Sequence, residues 1–368
     1  MSGEPPPERG LVAFYAPMKA PDHPNPSGDR RIARLMMRAL ERAGWTPRLA
    51  SRFRAHQRDG NPAAQDMLFQ EAERIADGLI RRFRAEGVPK LWFTYHCYYK
   101  APDLIGPAVA SALSIPYVVA EGYRAKKRLA GPYARFSNAA ERALDEARII
   151  FHLTHRGLDA LVRDRTAGQQ IVYLPPFTAL GDEPAPKPVP EGPLRLLTVA
   201  MMRKGDKTAS FRALAAALSL MEGDWRLDVV GDGESRAEVE AAFAPFGDRV
   251  RLLGRIDDRD ALRAAYEAAE IFVWPGVNEA FGMVYLEAQA AGTVAVAEDR
   301  DGVREVVAPM GRLAPPEDPA AFAAAISELA ADRAALGAAG QAAREWMKAH
   351  HGVNAAAARL DVALGSLA

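Results

Sequence analysis

The chain has 368 residues, 49% apolar and 26% charged, which is the make-up of a globular protein and excludes a disordered one. Its 47 Lys and Arg balance 47 Asp and Glu, but unevenly: residues 1–182 hold 27 basic against 19 acidic groups, and the remainder reverses the excess. One cysteine, Cys97, excludes a disulfide framework and a cysteine-based zinc cluster, and no run of about 18 apolar residues offers a membrane span. The first ten residues, MSGEPPPERG, are acidic and proline-rich where a secretory signal is basic and apolar, so a cytoplasmic protein is expected.

In the first half, short apolar runs predict strands at Leu11–Tyr15, Leu91–Tyr95, Pro116–Ala120, Arg148–His152 and Ile171–Leu174. Between the first two, Asp29–Ala43 spaces Ile32, Leu35, Met36, Ala39 and Leu40 as one helical face. The segment PAPKPVPEGP, residues 184–193, is half proline and predicts a semi-rigid linker. Strands follow at Leu194–Ala200, Arg226–Val230, Arg249–Leu253, Ile271–Trp274 and Thr293–Ala297. A helix is expected from Asp318 to about Ala330, with Asp318 as cap and Pro319 in the first turn. Strand–helix alternation on both sides of the linker predicts an α/β protein. Two doubly wound Rossmann-like domains, 1–183 and 194–368, are expected to face each other across a cleft.

The most informative stretch is Ile271–Gly292, IFVWPGVNEAFGMVYLEAQAAG. A strand ends at Pro275-Gly276, and a helix is expected to start near Phe281-Gly282. Glu279 precedes that helix and Glu287 lies within it, at most about 12 Å apart along the axis. The amides of Phe281, Gly282 and Met283 stand between them at the positive end of the helix dipole, a setting for a diphosphate. A carboxylate on each side could accept hydroxyls of a sugar and a ribose. Spacing alone fits a capped amphipathic helix with two solvated glutamates equally well.

The longer segment NEAFGMVYLEAQAAGTVAVAEDRDGVREVV resembles the donor-binding signature of family 4 retaining glycosyltransferases, which have the GT-B fold. Glu279, Phe281, Gly282, Glu287, Ala288 and Gly292 carry the likeness, while Asp301-Gly302 stands where that family has Gly-Gly ahead of Glu305. VVGDGE at Val229–Glu234, VRLLGRI at Val250–Ile256 and the DPAAFAAAI segment extend it. The resemblance implies a metal-independent hexosyltransferase without a cofactor, moving a sugar from a nucleotide-sugar to an acceptor with retention. Glu279 would hold the donor sugar, Glu287 the ribose, Gly282 and Met283 the phosphate, and Arg255 would lie near the nucleobase. It also implies an arginine and a lysine for the diphosphate: in TVAMMRKGDKTASFRAL these are Arg203 and either Lys204 or Lys207. By the same likeness the last helix, Val353–Leu367, would return to the first domain.

The first half is expected to supply the acceptor side, with a sugar, a lipid-linked molecule or another small acceptor. Gly28, after Ser27 at a helix start, matches the family's glycine loop near the donor phosphates. Where the family has a histidine, this chain has Glu121; His96 is the other candidate. The cluster Arg124, Lys126, Lys127, Arg128 and Arg135 fits an anionic acceptor, peripheral contact at the inner membrane surface, or a solvated loop. No nucleic-acid partner is expected. Asp299-Arg300-Asp301 imitates a metal-binding Asp-x-Asp, and the His152/His155 pair lacks an obvious further ligand, so no metal is expected either. A sugar-nucleotide 2-epimerase of the same fold and a non-catalytic nucleotide- or glycan-binding protein are the alternatives.

Overall fold

Runs of Val, Ile, Phe and Leu without polar alternation need cover on both faces, and the chain meets that need with parallel sheets flanked by helices. The computed structural model describes residues 8–25, 27–179 and 191–367. Two compact units result: Met1–Pro175 together with Val353–Ala368, and Pro176–Gly352. The break thus falls at Pro175–Pro176, ahead of the expected domain end at 183. The proline-rich segment 184–193 lies outside the described residues as far as position 190.

The first unit runs β1 (Gly10–Tyr15), α1 (Gly28–Arg42), β2 (Trp45–Leu49), α2 (Pro62–Glu86), β3 (Leu91–Cys97), α3 (Gly106–Leu113), β4 (Tyr117–Gly122), α4 (Ala134–Glu146), β5 (Ile149–His152), α5 (Leu158–Arg163) and β6 (Gln170–Tyr173). Its six strands are ordered β2-β1-β3-β4-β5-β6, all parallel. Phe14, Phe93 and Phe151 stack across the sheet, with ring centroids 5.9 and 6.2 Å apart. Ser27 caps α1 by accepting the Arg30 amide at 3.2 Å, a bond worth about 1 kcal/mol. The strand β2 lies outside the expected set because Trp45–Leu49 alternates buried and exposed residues and contains Pro47. An edge strand tolerates both features.

The second unit runs β7 (Leu194–Val199), α6 (Asp206–Leu218), β8 (Trp225–Val230), α7 (Arg236–Phe243), β9 (Val250–Gly254), α8 (Arg259–Ala268), β10 (Ile271–Val273), α9 (Met283–Ala290), β11 (Val294–Glu298), β12 (Arg312–Ala314), α10 (Pro319–Ala330) and α11 (Arg333–His350). The strand order is β12-β11-β10-β7-β8-β9, again all parallel. Asp318 caps α10 by accepting the Ala321 amide at 2.9 Å, as its position before Pro319 predicts. The last helix, α12 (Val353–Gly365), counts with the first unit, where it packs along α1 and where Asp361 pairs with Arg9. Among the described residues no helix is long and apolar enough to cross a membrane.

Candidate active site

In an open parallel sheet, the loops leaving the carboxyl ends of two strands diverge where the strand order reverses, and ligands bind there. In the second unit that point lies between β7 and β10. The loop after β7 leads through Arg203 and Lys204 to α6, and the loop after β10 carries Trp274 to Gly282.

The two loops are joined by side chains. Gly205 caps α6, so Lys207 falls in its first turn. The Lys207 ammonium donates to Glu279 Oε1 and lies 5.5 Å from the centre of the Trp274 ring. The Trp274 indole N–H donates to the same Oε1 at 3.1 Å. Asn278 Nδ2 donates to Asp206 Oδ2 at 2.9 Å, and the Val277 amide donates to Ser210 Oγ at 2.9 Å. Glu279 is therefore held, partly buried, between a cation and an indole. Lys204 is exposed, and its backbone amide reaches Glu234 Oε1 at 3.4 Å. The structure thus brings Lys207, and not Lys204, to Glu279. Arg203 is exposed beside it in sequence.

The helix α9 begins at Met283, two residues later than Phe281. Phe281 is buried, so its ring serves packing and only its backbone is available to a ligand. The amides of Met283 and Val284 open the helix and have no carbonyl a turn earlier to bond within it. Gly282 caps α9 at φ 79°, and a Cβ there would lie 2.6 Å from the Tyr285 ring. The glycine is thus required by its own helix turn, in addition to any close approach by phosphate. Glu287 is half-buried, and its Oε2 accepts the Tyr266 hydroxyl at 3.0 Å. Arg255 is exposed and pairs with Asp257, two residues on, at 2.5 Å.

Asp301-Gly302, in place of two glycines, leaves one glycine where it is needed. Gly302 sits at φ 81°, and a Cβ on it would come within 1.8 Å of the Ala280 carbonyl oxygen. The backbone after β11 is pressed against the segment that carries Glu279. Gly302→Ala should therefore cost about 1–3 kcal/mol or more of stability. Urea unfolding checks this, and an unchanged midpoint would contradict the packing.

In the first unit the strand order reverses between β1 and β3. Here Asp29, in the first turn of α1, meets His96, near the end of β3: Asp29 Oδ1 and His96 Nδ1 are 2.7 Å apart. Glu121, near the end of β4, is buried, and its Oε1 accepts the Tyr123 hydroxyl at 3.3 Å. Its Oε2 has no hydrogen-bond partner among the described residues. His96 and Glu121 both take left-handed backbone angles, φ 63° and 60°. Such conformations in non-glycine residues cluster at functional sites. Gly28 is exposed, and a Cβ on it would meet nothing within 4 Å.

Burial pushes the His96 imidazole down, but the charges of Glu121 and Asp29, with the Asp29 hydrogen bond, outweigh it and hold the pKa above the ordinary value. Burial likewise raises Glu121, and the imidazolium only partly offsets it. A raised histidine gives stability that is fully present below its unfolded pKa and is lost as pH rises through the folded one. Glu121→Gln should lower the His96 titration midpoint, read by histidine NMR; a midpoint that stays put would refute the coupling.

Of the basic cluster, Arg124 pairs with Glu141 and Asp145 at 2.8 Å each, Lys126 with Asp164 at 2.9 Å, and Arg135 with Asp66. Much of its charge is spent inside the unit. Sequence reasoning missed Trp274, read as part of a strand, and Ser210, Asp206 and Asn278, which carry no motif of their own.

Residues 193–332 match the family model described as glycosyl transferases group 1. The chain is 29% identical over 283 residues to the 2-deoxystreptamine glucosyltransferase of Streptomyces kanamyceticus, covering 69% of this chain and 71% of that one. It is 38% identical over 162 residues to the D-inositol 3-phosphate glycosyltransferase of Xylanimonas cellulosilytica, covering 40% and 37%. Its fold is similar to that of Anabaena Alr3699/HepE, solved in complex with UDP, at TM-score 0.70 and 14% identity over 97% of this chain and 100% of that one. Residues 193–332 are thus similar to group 1 glycosyl transferases, the fold is of the GT-B class, and the protein is an enzyme of the glycosyltransferase class.

Proposed function

We propose that the protein transfers a sugar from a nucleotide-sugar to a cyclitol-type acceptor with retention at the anomeric carbon, as family 4 enzymes do, and without a metal ion or cofactor. The observation that carries this is the junction of Lys207, Glu279 and Trp274 beside the start of α9, at the point where the strand order reverses. In the bound state Lys207 and Arg203 would turn to the diphosphate, with the Gly282 and Met283 amides. Glu279 would accept hydroxyls of the sugar and Glu287 those of the ribose, with Arg255 toward the base. Fixed cations stabilise the charge that the leaving nucleoside diphosphate gains in the transition state. The acceptor oxygen forms its bond to the anomeric carbon as the bond to phosphate breaks. The departing phosphate oxygen takes the acceptor proton, so no dedicated protein base is needed.

Gly28, His96 and Glu121 would belong to the acceptor side. Both relatives above are named for cyclitol acceptors, and the Streptomyces match is long enough to extend beyond the donor half. A cytoplasmic place of action, where peripheral contact with the inner membrane would bring lipid-linked acceptors within reach, completes the reading. Calorimetric titration with UDP, GDP and ADP in the presence of EDTA tests it. One nucleotide should bind in the micromolar range, about −8 kcal/mol. No binding by any of the three would count against the donor site.

A further inference from the structure

The loop that leaves β2 crosses the carboxyl ends of β1 and β3 in the first unit, and it is fastened there. The Ala50 amide donates to the Phe14 carbonyl at 2.8 Å, Ala55 to Pro17 at 3.1 Å and Gln57 to Lys100 at 2.9 Å. The Tyr133 hydroxyl donates to the Arg58 carbonyl. This pinned backbone places cations close together. Arg54 donates from Nε to the Met18 carbonyl at 3.1 Å, and its Nη2 lies 3.2 Å from His56 Nδ1. A guanidinium can only donate, so His56 Nδ1 carries the lone pair and its proton sits on Nε2. The Lys100 ammonium lies 5.8 Å from the Tyr99 ring centre and 5.7 Å from that of Tyr133. Arg128 stands over the other part of this aromatic wall, 5.3 Å from the Tyr99 ring centre.

Among the described residues, no carboxylate forms an ion pair with Arg54, Arg58 or Lys100. Nearby Asp22 pairs with Arg52 and Asp29 with His96. Burial, then the charges of Arg54 and Lys100 and more weakly Arg58, hold the His56 imidazole below its ordinary pKa, against an opposing pull from Asp29. The set offers donors and positive charge at the strand ends where open α/β sheets bind ligands.

We propose that Arg54, His56 and Lys100 form a binding site for an anionic group of the acceptor, of the phosphate or carboxylate class. The proposal rests on the reading of the first unit as the acceptor side. An anion would draw Arg54 toward itself, free His56 Nδ1 and favour the imidazolium.

The test is histidine NMR on the full chain, titrated with inorganic phosphate or with acetate at constant ionic strength and without nucleotide. Phosphate or acetate should raise the His56 midpoint by about half a unit or more. In the Arg54→Gln/Lys100→Gln variant the midpoint should rise without any anion and then no longer respond to one, while the His152 signal reports an intact fold. A His56 midpoint unmoved by both anions in the wild-type protein would overturn the proposal. Flotation with phosphatidylinositol in phosphatidylcholine vesicles separates the sources. Co-flotation lost in the double variant assigns a lipid headgroup, and an NMR response without flotation assigns a free anion. Donor turnover is measured separately, so failure of the transferase reading leaves this result distinguishable.

Discussion

Glu279→Gln should lower turnover by roughly 10²-fold or more, equivalent to about 2.7 kcal/mol of transition-state stabilisation. The carboxylate stands before α9, where it would orient the sugar as positive charge develops on the ring. Such contacts act on the transition state more than on the ground state. The structure adds a second expectation. Glu279 pairs with Lys207, so removing its charge leaves the ammonium unbalanced. Nucleoside diphosphate should then bind at least as tightly as before. A fall in kcat with no rise in Kd for the diphosphate separates a catalytic carboxylate from a merely structural one. Wild-type turnover in a folded variant would falsify the assignment.

Lys207→Ala should weaken binding of the nucleoside diphosphate by about 1.5–3 kcal/mol, roughly 10- to 150-fold. Two effects add: the phosphates lose a charged donor, and Glu279 is left without its cation beside them. Lys204→Ala should change affinity by less than about threefold, because its side chain is exposed on the approach to α6. Titration calorimetry on the two variants decides the matter. Equal losses, or a larger loss at Lys204, would place the diphosphate elsewhere on the loop.

The choice between the two lysines shows where the sequence stops being readable. Spacing after Arg203 suits either residue. What decides is the helix start: Gly205 at φ 88° caps α6, and the next turn carries Lys207 toward the loop after β10. Trp274 was hidden for a similar reason. It extends an apolar run and reads as core, and its ring is buried, but the strand ends at Val273 and the indole N–H is left to meet Glu279. In the first unit His96 and Glu121 were legible only as residues after strands. Their left-handed backbone angles carry no glycine to announce them. The buried strands, by contrast, follow directly from unbroken apolar runs such as Leu91–Tyr95 and Ile271–Trp274. Both strands missing from the expected set are edge strands, β2 with its Pro47 and the three-residue β12, where one side needs no partner and the apolar signal weakens.

The claim that joins these residues is retention at the anomeric carbon with the diphosphate as leaving group. Proton NMR of the product formed from an α-linked nucleotide-sugar and a cyclitol acceptor reads it directly, once the bound nucleotide is known. The account predicts an α-linked product, formed in EDTA and slowed by roughly two orders of magnitude in Glu279→Gln. A β-linked product, or an epimerised donor released without any transfer, would contradict it.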